Sequence, residues 1–121
     1  MLNLDTHMVV ALLLGDLRSR EQALVLKESW AISDIVLWEL AKLVQLGRLE
    51  MAFEDTGFRE FLKIVTIVPI SPDIARESTR LDFVSDPADE IIAATSLVEE
   101  IPLLTRDRKI LKSSMIPLAR I

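Results

Sequence analysis

The chain has 121 residues, half of them apolar, which is enough to build one hydrophobic core and too little for two, so a single domain over residues 1–121 is expected. A net charge of −5 excludes a surface that attracts polyanions as a whole, so any nucleic-acid contact needs a local basic patch or a bound cation. The absence of cysteine excludes disulfides and thiolate metal sites, and it is compatible with a reducing cytoplasm.

The first segment, "MLNLDTHMVVALLLGD", has no Lys or Arg ahead of its apolar run, and Asp5 and His7 interrupt it, so it is not an export signal. Met8 to Leu14 is far shorter than the roughly 20 residues that span a bilayer, and a cytoplasmic protein with no membrane partner is expected. "MLNLD" suits a buried strand ending on an acid, and a helix begins at Thr6 and stops at Gly15. Ser19 is the expected N-cap of a second helix that runs to Lys27, and "WAIS" reads as a short strand.

Ser33 is placed to cap "DIVLWELAKLVQLG", a long helix closed by Gly47. "GRLEMAFEDTGFREFLKI" has the spacing of one or two amphipathic helices, and the β-branched run "VTIVPI" is the most strand-like stretch. Ser71 and Pro72 supply an N-cap and an N1 proline for "DIARESTRL". The segment "SDPADEIIAATS" opens the next helix, "IPLLT" is a strand, "RDRKILKS" a short helix and "MIPLA" a candidate edge strand. There is no repeat, low-complexity tract or linker to divide the chain.

Apolar strands alternating with helices call for an α/β fold with a mostly parallel sheet covered on both faces. Ligands of such sheets bind beyond the carboxyl ends of the strands. Asp5 closes the first strand and Asp107 follows "LLT", which puts both at that edge.

Four acids carry the candidate chemistry, and each has a plain structural alternative. Asp86, Pro87 and Asp89 fit positions N-cap, N1 and N3 of a helix, where Asp86 needs no role beyond capping. The helix behind Asp89 is apolar almost all round, so its first turn enters the interior, with the small residues Ala93 and Ser96 following Asp89 on one face. Glu39 lies outside the wet sector marked by Asp34, Lys42 and Gln45, so it is either a boundary residue or a carboxylate facing a cleft. Asp5 could cap a turn, and Asp107 could cap a helix or pair with Arg106, Arg108 or Lys109.

Four acids on one rim repel one another unless something offsets their charge. A hard divalent cation does so with oxygen ligands, which makes Asp5, Glu39, Asp89 and Asp107 candidate metal ligands for Mg2+ or Mn2+. Hydrolysis of a phosphodiester is the reaction such a site suits, and the chain has no cysteine and one histidine, His7, to offer as a nucleophile or base. His7 fits a hydrogen-bonding support role. Three glycines, Gly15, Gly47 and Gly57, form no phosphate-binding loop, and Trp30 and Trp38 fit a core or interface better than a base-stacking platform. Arg106, Arg108, Lys109 and Arg48 are the candidate nucleic-acid contacts, with an ordinary solvated basic face as the alternative.

In order and spacing, "LDTHMVVALL", "ISDIVLWELAKLVQLGRL", "DPADEIIAATSL" and "LLTRDRKI" resemble the PIN-domain nucleases, specifically the VapC-like toxins of toxin-antitoxin pairs. The resemblance implies a three-layer α/β/α fold, Mg2+- or Mn2+-dependent cleavage of RNA, a homodimer and a small antitoxin partner. It places Asp5, Glu39 and Asp89 on the family's acidic positions and Asp107 on its more variable fourth, with Ser33 and Thr105 in supporting positions. Ala11 stands where many relatives have Trp, and Glu90 where Arg is common; the second adds a negative charge beside the proposed site. Two other readings are a phosphoacceptor receiver domain, for which "VTIVPISPD" and "IPLLTRD" supply neither the acceptor aspartate nor the late lysine convincingly, and a PIN-like module that only binds a partner.

Overall fold

The computed structural model describes all of residues 1–121. Four strands, β1 (Leu2–Leu4), β2 (Trp30–Ser33), β3 (Thr66–Val68) and β4 (Leu103–Leu104), form one sheet in the order β3-β2-β1-β4, and every pairing is parallel. Seven helices connect and flank them: α1 (Thr6–Leu14), α2 (Ser19–Lys27), α3 (Ile35–Gln45), α4 (Thr56–Ile64), α5 (Pro72–Glu77), α6 (Pro87–Glu99) and α7 (Arg108–Leu111). The fold is the expected α/β class with a parallel sheet. Successive side chains of a strand point to opposite faces, and all three residues of β1 are buried, so both faces of the sheet are covered. One cluster of 18 buried apolar residues, from Leu2 to Ile116, makes the core continuous under the whole sheet. No helix is long and apolar enough to cross a membrane.

The strand order puts the chain's reversal between β1 and β4. From β1 the chain steps outward to β2 and β3, and β4 then returns to the other side of β1. A crevice therefore opens beyond the carboxyl ends of β1 and β4, the position where open parallel sheets bind ligands.

Local chemistry accounts for most element ends. Gly15 (φ +75°) and Gly47 (φ +71°) adopt the left-handed conformation that closes α1 and α3, and the Arg48 N–H reaches back to the Leu43 carbonyl at 2.9 Å. Ser71 caps α5 by accepting the Ile74 N–H at 3.1 Å. Two expected caps shift by a residue. Arg18, not Ser19, is the N-cap of α2, because Glu21 at N3 accepts the Arg18 N–H at 2.8 Å. Helix α3 begins at Ile35 with Asp34 in the cap position, while Ser33 ends β2 and accepts the Ile35 N–H at 3.3 Å from there.

The remaining differences come from tertiary context. Residues 48–55 form turns, and only "TGFREFLKI" is helical. β3 is a three-residue edge strand with Thr66 and Ile67 exposed, shorter than "VTIVPI" suggests because one side has no neighbour to pair with. "DIARESTRL" stays helical only to Glu77. The "MIPLA" segment contributes a single parallel bridge, Leu118 to Leu103. Trp30 stacks on Phe61 at 6.0 Å and donates its indole N–H to the Val25 carbonyl, whereas Trp38 stands exposed with the Lys42 ammonium 5.9 Å from its ring.

Candidate active site

Asp5 lies at the mouth of the crevice, immediately after β1, and is only 2% exposed. Its two oxygens are separately held: Oδ1 accepts the Thr6 N–H at 2.8 Å, starting α1, and Oδ2 accepts the Thr105 hydroxyl at 2.6 Å. Thr105 follows β4, so this bond ties the two central strand ends together. The Thr105 hydroxyl also accepts the Asp107 N–H at 3.0 Å. His7 Nε2 accepts the Arg106 N–H at 2.9 Å, which leaves the ring proton on Nδ1, 3.6 Å from Asp5 Oδ2. His7 therefore pins the β4–α7 loop to the start of α1, the support role its position suggests.

Glu39 and Asp89 approach from α3 and α6. Glu39 is half-buried and accepts the Thr6 hydroxyl, so it faces the crevice and is not a wet-face residue. Asp89 Oδ2 accepts the Ser85 hydroxyl at 3.0 Å. Burial raises the Glu39 pKa above the usual carboxylate range, opposed by the Thr6 hydrogen bond and reinforced by the charges of Asp89, Asp5 and Asp86. Burial likewise raises that of Asp89, opposed by Ser85 and reinforced by Asp5, Asp107 and Asp86. The charges of Asp5 and Asp89 thus reach Glu39, and those of Asp5 and Asp107 reach Asp89.

What sets α6 against β1 is Asn3, which sequence reasoning passed over. Asn3 is fully buried and donates to the Ile92 carbonyl at 3.1 Å and to the Ser96 hydroxyl at 2.9 Å. It shares a face of β1 with Asp5, two residues on, and its partners follow Asp89 along α6 at helical spacing. A polar residue inside "LNL" was the available signal. Thr6 and Ser85, the donors to Glu39 and Asp89, carried no comparable one.

An open cleft of about 550 Å3 is lined by Ser85, Asp86, Asp89, Asp107, Arg108 and Lys109, with Val84 at its rim. Asp107 caps α7, accepting the Lys109 N–H at 2.8 Å and the Ile110 N–H at 3.2 Å, which resolves its alternatives in favour of the cap while leaving it on the cleft wall. Asp86 occupies the N-cap position of α6, but its side chain makes no capping hydrogen bond and lines the cleft instead. One turn into the helix, Glu90 accepts the Ser85 N–H at 3.2 Å and so ties the residue before the cap to α6. Glu90 is therefore engaged in holding this loop and is not a free charge beside the site.

The basic candidates divide. Arg106 forks onto Glu21 at 2.6 and 2.8 Å and reaches the Asp16 carbonyl at 3.2 Å, so its guanidinium is committed to the protein. This pairing holds the pKa of the Glu21 carboxyl down at about 2 and raises that of the Arg106 guanidinium. Arg108 and Lys109 stand on the cleft, with the Lys109 ammonium donating to the Val84 carbonyl at 3.3 Å. Arg48 is exposed at the end of α3 and is not among the residues lining the cleft. Ser33 is fully buried at the end of β2, where its hydroxyl serves α3 and none of the four acids.

No three acidic or imidazole groups close into a ready-made metal cage. Each of the four carboxylates is held by an internal donor, namely Thr6 with Thr105, Thr6, Ser85, and the first turn of α7. The donor set is nonetheless all hard oxygen, and burial first, then the charges of neighbouring acids, raises the proton affinity of Glu39 and Asp89 despite these donors. Such a set fits a cation like Mg2+, which needs few protein ligands because it keeps several waters.

The PIN-domain family model matches residues 3–113 of this chain. Ribonuclease VapC22 of Mycobacterium tuberculosis is 30% identical over 92 residues, 74% of this chain and 71% of that protein. Among solved structures, VapBC2 from Rickettsia felis, bound to a DNA fragment from their promoter, superposes with a TM-score of 0.76 at 23% identity over 98% of each chain. A toxin-antitoxin complex from Klebsiella pneumoniae gives a TM-score of 0.72 at 22% identity, covering 99% of this chain and 97% of that one.

Proposed function

Because this chain belongs to the PIN-domain family and to its VapC-like members, we propose that it is a metal-dependent endoribonuclease, the toxin of a toxin-antitoxin pair. The observation that carries the reading is the gathering of Asp5, Glu39, Asp89 and Asp107 from four separate chain segments at the switch point of a parallel sheet, close enough that Asp5 and Asp89 bear on Glu39 and that Asp5 and Asp107 bear on Asp89. The relative VapC22 is named a ribonuclease, and the matched structures are toxin-antitoxin assemblies, which supports the substrate class and the partner.

Asp5, Glu39 and Asp89, with Asp107, are the residues that would hold Mg2+ or Mn2+. When bound, such an ion lowers the pKa of a water ligand and stabilises charge developing on a phosphodiester. The protein's own groups prepare that site. Thr6, Thr105 and Ser85 donate to the carboxylates and fix their oxygens in place, and the Thr6 and Ser85 bonds favour the ionised forms of Glu39 and Asp89. His7 holds the Thr105–Asp107 loop against α1. Arg108 and Lys109 place positive charge on the cleft wall, where an RNA phosphate must pass the acids. Under the same reading the protein forms a homodimer and binds a small antitoxin.

Incubating the pure protein with RNA, with and without Mn2+, and then adding EDTA tests the activity. Cleavage that needs the metal and stops on chelation is expected. Intact RNA in all conditions would leave only an interaction module. Light scattering of the free protein, and of the protein with its antitoxin, reads the assembly.

A further inference from the structure

With a net charge of −5 the chain needs a local path to draw RNA in, and the carboxylate-lined cleft has the wrong sign to provide it alone. A second groove, of about 430 Å3, adjoins that cleft and shares Arg108 with it; Arg18, Glu21, Thr105 and Arg106 also line it. Glu21 is the acid of this groove, and Arg106 neutralises it through a two-pronged contact. The arginines held in ion pairs are Arg76, Arg80 and Arg106, whereas Arg18 and Arg108 are exposed and outside that set. The groove is therefore net positive.

Its floor is also rigid and close to the acids. Glu21 accepts the Arg18 N–H at 2.8 Å while gripping Arg106, so one buried carboxylate fixes the start of α2 against the β4–α7 loop. Thr105 lines the groove while its hydroxyl donates to Asp5, so a single residue separates the groove from that acid, and Arg108 joins the groove to the cleft.

We propose that this groove carries the RNA phosphodiester backbone on one flank of the scissile bond, with Arg18 and Arg108 as phosphate contacts and Arg108 at the junction with the acidic cleft. The inference rests on the nuclease reading and adds the course of the strand. It also replaces Arg106 by Arg18 as the contact upstream of the junction, because Arg106 serves Glu21.

The test is equilibrium binding of a fluorescein-labelled, mixed-sequence single-stranded RNA in EDTA, followed by anisotropy across a salt series. Arg18→Ala and Arg108→Ala are each expected to weaken binding about fivefold and to make the salt slope shallower by about 0.7. Arg59→Ala, on the exposed side of α4 toward the opposite edge of the sheet, is the control and is expected to change neither. Unchanged affinity and slope in Arg18→Ala overturn the groove even if the wild-type protein cuts RNA with Mn2+. An equal loss in Arg59→Ala overturns it as a mere net-charge effect, and so does a wild-type protein that fails to bind RNA at low salt. Loss confined to Arg18→Ala and Arg108→Ala supports the groove even if no cleavage is seen, which would count against the nuclease reading alone.

Discussion

At the scale of single residues, the four acids differ in how much the fold invests in them. Asp5 is the most deeply placed, with both oxygens fixed, whereas Glu39 and Asp89 are half-buried and bear the excess charge. Asp89→Asn is expected to abolish metal-dependent RNA cleavage while the metal-free protein unfolds at the same or a higher temperature, since the neutral amide removes a destabilising charge. The same shifts set the pH dependence. Raised folded-state pKa values for Glu39 and Asp89 mean a contribution that is full below their unfolded values of 4.5 and 3.8 and is lost as pH rises through the folded ones. Glu21 acts in the opposite sense: its carboxyl titrates at about 2 when folded against 4.5 ordinarily, so its stabilisation is present above 4.5 and lost as pH falls toward 2. The metal-free protein should therefore gain thermal stability as pH is lowered through the raised folded-state values of Glu39 and Asp89, then lose on the order of 3 kcal/mol from Glu21 as pH falls from 4.5 toward 2. A thermal melt series in EDTA-containing buffers reads both limbs. Asp5 at a strand end, Glu39 outside the wet sector of its helix and Asp89 before an apolar helix were readable from their neighbours, whereas the pairing of Glu21 with Arg106 was not, because a carboxylate's partner on another element leaves no local mark.

At the scale of elements, caps and stops were legible and side-chain commitments were not. Gly15, Gly47, Ser71 and the acid of "LLTRD" announce helix ends through backbone chemistry confined to a few adjacent residues. Ser19 lies inside α2 because Glu21 accepts the Arg18 N–H and moves the cap one residue earlier, while Asp86 holds the cap position of α6 without a side-chain capping bond. Asn3 is the clearest element-level device: it clamps α6 onto β1 and so fixes how far Asp89 stands from Asp5. Asn3→Ala is expected to cost about 1–2 kcal/mol in denaturant unfolding and to lower kcat for RNA cleavage with little change in KM. A matching loss of KM alone would show that Asn3 does not index the site.

At the scale of the whole molecule, the strand order creates the crevice, and like charges gather beside it, with Asp5, Asp107 and Asp86 all adding to the proton affinity that burial gives Asp89. Mn2+ at a hundredfold excess over its Kd is expected to stabilise the protein by about 2.7 kcal/mol, a shift of several degrees in Tm, and Asp89→Asn should abolish the shift. Periodicity, turn residues and the order of apolar runs determined, from sequence alone, an α/β chain with acids at strand and helix ends, because those signals act over one or two turns of backbone. Only the tertiary structure decided that β4 returns beside β1, that Arg106 turns away to Glu21, and that Asn3 sets the spacing of the acids. Each of these joins residues some 85 to 100 positions apart, where the partner is selected by packing and charge in space and not by anything adjacent in the chain.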